Sequence, residues 1–389
     1  MRVLLRVPAG STYFGTSDRP IDFHRRLPGY QVSPLVEAPG LARMLGVANV
    51  FVKNESWRFG LPSFKILGAS WAVYAALRKR LGPVPEGPLS YEATQAWAAP
   101  SRPLTLIAAT DGNHGRAVAR VAQWFGLASR IFVPSFVSPE RRKAIESEGA
   151  ELRVIDGVYD AAVDAAAAEA VRDAGTLLMS DTARSELDII PQLVTAGYTT
   201  AFEEIEEQLA QSGDDRIDAV AIQAGVGGLA SAGTAWARIT RQSRPPRVIV
   251  VEPELAASIM AALAAGEPVS VSAAEVSAMS VLQCGTVSLT AFQNLQAGVS
   301  CCLAIEDSWA ATAVSELDTC GIQSGPSGAA GAAGLLAAFS GPFARPLRER
   351  LRLFSDARVL VIATESAAAA ERAQRDHIAR TELLGSAFA

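Results

Sequence analysis

Histidine and cysteine are scarce, with three histidines and four cysteines serving 389 residues. Cys284, Cys301, Cys302 and Cys320 match neither the spacing of a zinc site nor that of a small disulfide framework. His24, His114 and His377 are too few and too scattered to complete a metal centre, so no metal is expected and the thiols read as buried and reduced. Charge is also thin: charged residues make up 19%, the formal net charge is −5, and no block of one sign occurs. The basic surface that nucleic-acid binding requires is therefore missing. No apolar run reaches the length of a membrane span; Ser327–Phe339 comes nearest and reads as a tightly packed buried helix. The apolar run within Met1–Gly10 is too short for a signal-peptide core, and the cysteine spacing makes a reducing cytoplasm the expected compartment. A Pro/Gly/Ser-rich linker is absent as well.

What is present is core material, since 49% of the residues are hydrophobic. Apolar runs at Val50–Lys53, Leu104–Ala109, Ile131–Val133, Leu152–Ile155, Leu177–Met179, Ala219–Gln223, Val248–Val251 and Val359–Ala363 read as strands. Between them lie helical patterns at Phe64–Leu81, Gly115–Phe125, Pro139–Glu148, Asp160–Asp173, Thr199–Gln211 and Gly228–Ile239. This alternation predicts an α/β fold with mainly parallel sheets covered by helices on both faces. Thr199 is expected to cap its helix, with acidic residues in the turns that follow. Gly82–Arg102 reads as a surface excursion.

Three strand-to-helix junctions carry chemistry. At Ser63-Phe64-Lys65 a helix opens, so Lys65 occupies a first turn beside apolar neighbours. The helix dipole and those neighbours disfavour its ammonium form, predicting a nucleophilic amine near neutral pH. Such an amine forms an imine with an aldehyde, and pyridoxal 5′-phosphate (PLP) supplies one. Taken alone, the segment still favours an ordinary snorkelling lysine. At Gly225-Val226-Gly227-Gly228-Leu229 a strand ends in glycines before a helix, a geometry that lets backbone N–H groups approach a phosphate; an unliganded tight turn accounts for the same residues equally well. The run lacks both the P-loop ending and the dinucleotide fingerprint. At Thr110-Asp111-Gly112-Asn113-His114-Gly115 polar side chains gather at the carboxyl end of a strand, where α/β proteins bind ligands, although turn and capping roles are their commonest use.

Together these blocks resemble the fold type II PLP enzymes (tryptophan synthase β-like), and within them the diaminopropionate ammonia-lyase family. Phe23–Tyr30, Ser33-Pro34-Leu35, Glu55–Leu61, Phe64–Gly68, Thr110–Gly115, Asp181-Thr182-Ala183, Gly197–Thr200, Gly225–Leu229, Cys284-Gly285 and Thr364-Glu365 appear in family order across nearly the whole chain. The resemblance implies that Lys65 is the Schiff-base lysine, next to Phe64, and that Asn113 partners the PLP 3-hydroxyl. Gly225, Val226, Gly227, Gly228 and Leu229 would hold the phosphate, and Thr364 the pyridine nitrogen. A neutral hydroxyl at Thr364 would favour elimination or replacement over transamination. Asp111 would act as an acid/base for one substrate enantiomer and Lys65 for the other, with Asp181 holding a β-ammonium group. Ser63, Thr110 and His114 would complete the substrate contacts.

The implied reaction is α,β-elimination of 2,3-diaminopropionate, through an aminoacrylate, to pyruvate and ammonia. The alternatives are elimination or replacement on serine, threonine or another small amino acid, or a non-catalytic PLP-binding protein. The family architecture implies a large PLP-binding domain, 1–72 with 184–389, a small inserted domain, 73–183, and a homodimer. Three departures from the pattern stand out: Asn54 in place of aspartate, Pro62-Ser63 in place of Asn-Ala, and Cys284–Ser288 without a Glu-Pro pair. The last falls where substrate would be contacted, so the resemblance defines the cofactor more sharply than the amino acid.

Overall fold

The computed structural model describes residues 1–8, 18–110, 112–157, 159–213, 216–240, 242, 244–272 and 275–367. Among them the strands are β1 (Arg2–Leu5), β2 (Leu35–Glu37), β3 (Asn49–Asn54), β4 (Thr105–Ala109), β5 (Ala128–Pro134), β6 (Glu151–Ile155), β7 (Thr176–Leu178), β8 (Ala219–Gln223), β9 (Arg247–Pro253), β10 (Val299–Ile305) and β11 (Arg358–Ala363). They form a seven-stranded sheet of order β1-β10-β9-β8-β11-β3-β2 and a four-stranded sheet of order β6-β5-β4-β7. The small sheet is parallel throughout. In the large one only the edge strands β1 and β2 run antiparallel. The α/β reading with parallel-dominated sheets therefore holds.

The inner strands of the large sheet are buried along almost their whole length; every residue of β8 and β10 is buried. Helices on both faces account for this, and it is why these strands read as unbroken apolar runs. The Ala330–Ser340 helix is buried from Ala330 to Phe339. A Cβ on its Gly331 would lie 2.7 Å from the Ala221 carbonyl oxygen, and one on Gly334 would lie 2.5 Å from Val251 Cγ2, so the small residues let this helix lie directly on the sheet. A second close approach joins the Lys65–Leu81 and Ile189–Gly197 helices. There a Cβ on Gly197 would stand 2.4 Å from the Leu67 carbonyl oxygen, and one on Gly68 would stand 2.6 Å from Tyr198 Cε1.

β3, β8 and β11 are parallel neighbours, so Asn54, Gln223 and Thr364 emerge at one edge of the large sheet. None of the described helices is long and apolar enough to cross a membrane.

Three expectations change. β1, β2 and β10 are additional strands: the first two are short edge strands, and Ser300, Cys301 and Cys302 disguise β10 as less apolar than its burial. Gly82–Arg102 runs over the surface as expected but contains a helix, Tyr91–Ala98, which Ser90 caps by accepting the Ala93 N–H at 3.1 Å; Val84, Leu89 and Ala98 anchor the segment in the core. Thr199 does not cap its helix. The Ile189–Gly197 helix runs almost directly into the Thr199–Ser212 helix through Tyr198, itself in the helical region, and the Thr199 hydroxyl donates back to the Ala196 carbonyl at 2.7 Å. The local threonine-then-acid pattern was overridden by continuous helical backbone.

Candidate active site

After β3 the chain turns through Phe59, at φ +52°, and Gly60, at φ +75°. Asn54 helps begin the turn: its Oδ1 accepts from the Ser56 N–H at 3.2 Å and from the Ser56 hydroxyl at 2.6 Å. Ser63 is buried and bridges Glu365 in antiparallel fashion, which lays the segment before Lys65 against the segment after β11. The helix then starts at Lys65 with no side-chain cap.

Lys65 Nζ donates to Asp181 Oδ2 at 2.8 Å and stands 5.7 Å from the centroid of the Phe64 ring. Burial opposes the charge on Lys65. The Asp181 carboxylate outweighs it, by its charge and by its hydrogen bond, so the amine is held above its ordinary pKa. For Asp181, burial is likewise outweighed by Lys65, aided by the Thr182 hydroxyl, and the carboxyl is held well below its usual range. This corrects the expectation of an amine made neutral by helix dipole and apolar neighbours: a carboxylate distant in sequence dominates the local environment.

Asp111 lies outside the described residues; Thr110 and Gly112 flank it. Thr110 is buried, and its Oγ1 accepts the Gly112 N–H at 2.9 Å. Asn113 opens the Asn113–Phe125 helix and donates from Nδ2 to Glu365 Oε2 at 3.2 Å. His114 Nε2 meets the Met179 carbonyl at 2.7 Å. A carbonyl only accepts, so Nε2 carries the proton and Nδ1 keeps a lone pair. That Nδ1 is buried with no hydrogen-bond partner among the described residues. Burial outweighs the opposing charge of Asp181 and, with Lys65, depresses the imidazole pKa and keeps it neutral.

The glycine turn lies between β8 and the Gly228–Ile239 helix. Gly227 adopts φ +98° and caps that helix, whose first turn contains no acidic residue. A Cβ on Gly225 would lie 2.9 Å from Cys284 Sγ, and one on Gly228 would lie 3.4 Å from Thr195 Oγ1 and 3.5 Å from Tyr198 Cε2. The Val226 carbonyl accepts the Ser288 N–H at 2.9 Å, and Leu229 is buried. Ser288 also takes the Ala183 N–H on its hydroxyl at 2.9 Å, tying the loop that carries Asp181 to the glycine turn. Lys65, Asp181 and the glycine turn are thereby brought together.

Thr364 is buried and accepts from Gln223 Nε2 at 2.8 Å. The same nitrogen lies 2.8 Å from the carbonyls of Gly328 and Ile362. Two carbonyls can be met only by N–H, which fixes the amide orientation; with two protons among three acceptors, Thr364 Oγ1 receives a shared hydrogen bond, and its own proton is free to be donated. Gln223, Tyr198, Ser288 and Glu365 were not foreseen as site residues. Tyr198 and Glu365 sit inside blocks that carry the family resemblance, a signal that could have found them; Gln223 reads only as the polar end of an apolar strand.

An amine in a helical first turn, an anion-accepting helix N-terminus and a hydroxyl at a sheet edge define a site for an aldehyde cofactor bearing a phosphate. A family model for pyridoxal-phosphate dependent enzymes matches residues 27–377, and the chain belongs to that family. Its cofactor is pyridoxal phosphate, and its architecture is that of fold type II.

More narrowly, the chain is 34% identical over 353 residues to the diaminopropionate ammonia-lyase of Salmonella typhimurium, covering 88% of this chain and 87% of that one. The biosynthetic L-threonine dehydratase of Mycobacterium tuberculosis is 29% identical over 343 residues, covering 86% and 71%. Diaminopropionate ammonia lyase from Escherichia coli in complex with D-serine superposes with a TM-score of 0.84 at 30% identity, covering 98% of both chains. The same E. coli enzyme with an aminoacrylate-PLP azomethine reaction intermediate gives 0.83 at 30% identity, covering 98% and 97%.

The residues fit the cofactor. The first N–H groups of the Gly228–Ile239 helix have no intrahelical acceptor, as at any helix start, and no acidic side chain in the first turn opposes an anion there. The buried Tyr198 hydroxyl and His114 Nδ1 both lack partners among the described residues and belong to the group of side chains around Lys65 and Asp181.

Proposed function

We propose that this chain is an ammonia-lyase that converts 2,3-diaminopropionate to pyruvate and two molecules of ammonia. The observation that carries the reading is the Lys65–Asp181 pair, which puts a half-buried carboxylate, held ionised, beside the proposed cofactor lysine. A carboxylate there suits a substrate with a second ammonium group, because a buried charge requires an opposite charge in contact.

Pyridoxal phosphate, when bound, supplies a ring that delocalises the electrons released at the substrate α-carbon. In this proposal Gly225–Leu229 hold its phosphate, Asn113 faces its 3-hydroxyl and Thr364 donates to its ring nitrogen. Lys65 carries the cofactor and then removes the α-proton from one enantiomer, and Asp111 removes it from the other. Asp181 keeps the β-nitrogen protonated, so that it leaves as ammonia and takes the electron pair of its carbon bond. Ser63, Thr110 and His114 line the substrate. Water converts the remaining aminoacrylate to pyruvate and the second ammonia. We further propose two lobes, 1–72 with 184–389 and 73–183, assembled as a homodimer in the cytoplasm.

The test compares ammonia and pyruvate release from diaminopropionate, serine and threonine, with borohydride reduction and peptide mass analysis locating the cofactor on Lys65. Diaminopropionate is expected to be turned over fastest, with two ammonia per pyruvate. Turnover of serine or threonine with none of diaminopropionate would sink the assignment; a cofactor adduct on another lysine would sink the site.

A further inference from the structure

Tyr198 is a large buried side chain with an unanswered hydroxyl. It is 1% exposed, and its hydroxyl has no hydrogen-bond partner among the described residues. Its ring is set by three contacts: the Phe64 ring at 4.7 Å between centroids, Gly68 and Gly228. A Cβ on Gly68 would lie 2.6 Å from Cε1 and 2.8 Å from Cζ, whereas one on Gly228 would lie 3.5 Å from Cε2. The hydroxyl end of the ring therefore lies between the helix that Lys65 opens, which presses on Cε1 and Cζ, and the glycine turn, which meets Cε2 more loosely. Phe64 precedes Lys65 by one residue and Gly68 follows it by three.

We infer that Tyr198 is a positioning residue for Lys65, its phenol donating a hydrogen bond to the Lys65 amine whenever Asp181 is engaged by an ammonium group of the substrate. The inference rests on the proposed substrate class and adds the residue that receives the lysine. Four titratable groups bear on the pair: Asp181 from the loop after β7, Tyr198 from the helix junction, Cys284 from the loop beside Gly225, and His114 from the Asn113–Phe125 helix. Asp181 is held ionised near neutral pH. Burial pushes the Tyr198 phenol up to about 12, so it stays protonated and acts as a donor. An ammonium has no lone pair to receive that proton and a neutral amine has one. Lys65 thus has two stations: Asp181 for its ammonium and Tyr198 for its amine. A substrate ammonium that claims Asp181 moves the lysine from the first to the second and leaves it as a base.

The test uses the full-length chain with Tyr198→Phe, which keeps the ring and removes the hydroxyl. In an Asp181→Asn background stripped of cofactor, the pH midpoint of Lys65 acylation by acetic anhydride, read by peptide mass analysis, is expected to rise by about half to one pH unit when the phenol is removed. Tyr198→3-fluorotyrosine, a stronger donor of nearly the same shape, should lower it, and this arm decides the matter if the phenylalanine variant folds poorly. In the holoenzyme the acidic limb of kcat/KM for Tyr198→Phe should move up in parallel, with KM nearly unchanged. An unshifted midpoint in both variants overturns the inference. So does a loss of affinity for pyridoxal phosphate that pyridoxal does not share, since that would assign the phenol to the phosphate. Acylation needs no substrate, so the shift upholds the Tyr198–Lys65 contact whatever diaminopropionate assays give, and its absence refutes it even in an active enzyme.

Discussion

Lys65 Nζ and Asp181 Oδ2 are 2.8 Å apart although 116 residues separate them in the chain. The contact brings the helix that follows β3 to the loop that follows β7, and so joins the two sheets at Lys65. Each partner perturbs the other: the amine is held charged by the carboxylate, and the carboxylate is held charged by the amine. A second cation entering the site competes for the same oxygens.

Asp181→Asn should therefore separate substrates by charge. Removing one member of a buried charge pair costs about 2–5 kcal/mol; the half-buried Asp181 falls at the low end, so kcat/KM for diaminopropionate is expected to fall about 30-fold at pH 7. Serine, which has no β-ammonium group, should lose less than about tenfold by the same scale. Steady-state ammonia release on both substrates measures this. Equal losses would show that Asp181 serves Lys65 alone.

Gly227→Ala should weaken the phosphate end of the cofactor site. Gly227 sits at φ +98°, and a Cβ there would stand 3.1 Å from Leu295 Cδ1 and 3.3 Å from both Ala291 Cβ and Ile259 Cδ1. The strained backbone costs roughly 1–3 kcal/mol or shifts the first N–H groups of the helix out of line. Affinity for pyridoxal phosphate, followed by absorbance titration, should drop about tenfold or more, and affinity for pyridoxal should drop less. An equal drop for both would place the phosphate elsewhere.

Much of the fold was readable because β8, β9 and β11 are apolar runs bounded by turns, and because burial on both faces leaves no alternation to misread. β10 was hidden by one serine and two cysteines, and the Thr199 cap was lost to a helix that continues through Tyr198. In the site, Lys65 and the glycine turn are visible because each is a local strand-to-helix junction. The charge state of Lys65 is not local. It depends on Asp181, and the direction of the Thr364 hydroxyl depends on Gln223, 141 residues earlier; pairings of that reach carry no periodic or spacing signal.

The same long-range logic supports the turn that delivers Lys65. Glu204 Oε2 accepts from Lys53 Nζ at 2.7 Å and Arg58 Nη2 at 2.8 Å, and its Oε1 accepts from Arg58 Nη1 at 2.9 Å and from the Tyr30 hydroxyl at 2.6 Å. Glu55 completes a buried set of two cations and two anions spanning β3, the turn after it and the Thr199–Ser212 helix. Glu204→Gln leaves a buried cation without its counter-charge and should cost about 3–5 kcal/mol, seen as a lower denaturant midpoint at pH 7. Burial opposes the Glu204 charge, but Arg58 and Lys53 outweigh it and depress the carboxyl from 4.5 to about 2. A carboxyl depressed on folding contributes stability that is complete above its unfolded value and is lost as pH falls toward the folded one. The native chain should thus lose this contribution between pH 4.5 and about 2. Buried His24, lowered from 6.5 to about 3 chiefly by desolvation, adds a loss that begins nearer pH 6.5. In Glu204→Gln the His24 component persists while the slope below pH 4.5 flattens. Denaturant unfolding at several acid pH values reads both slopes, and an unchanged slope below pH 4.5 would show that Glu204 is not ionised in the folded chain.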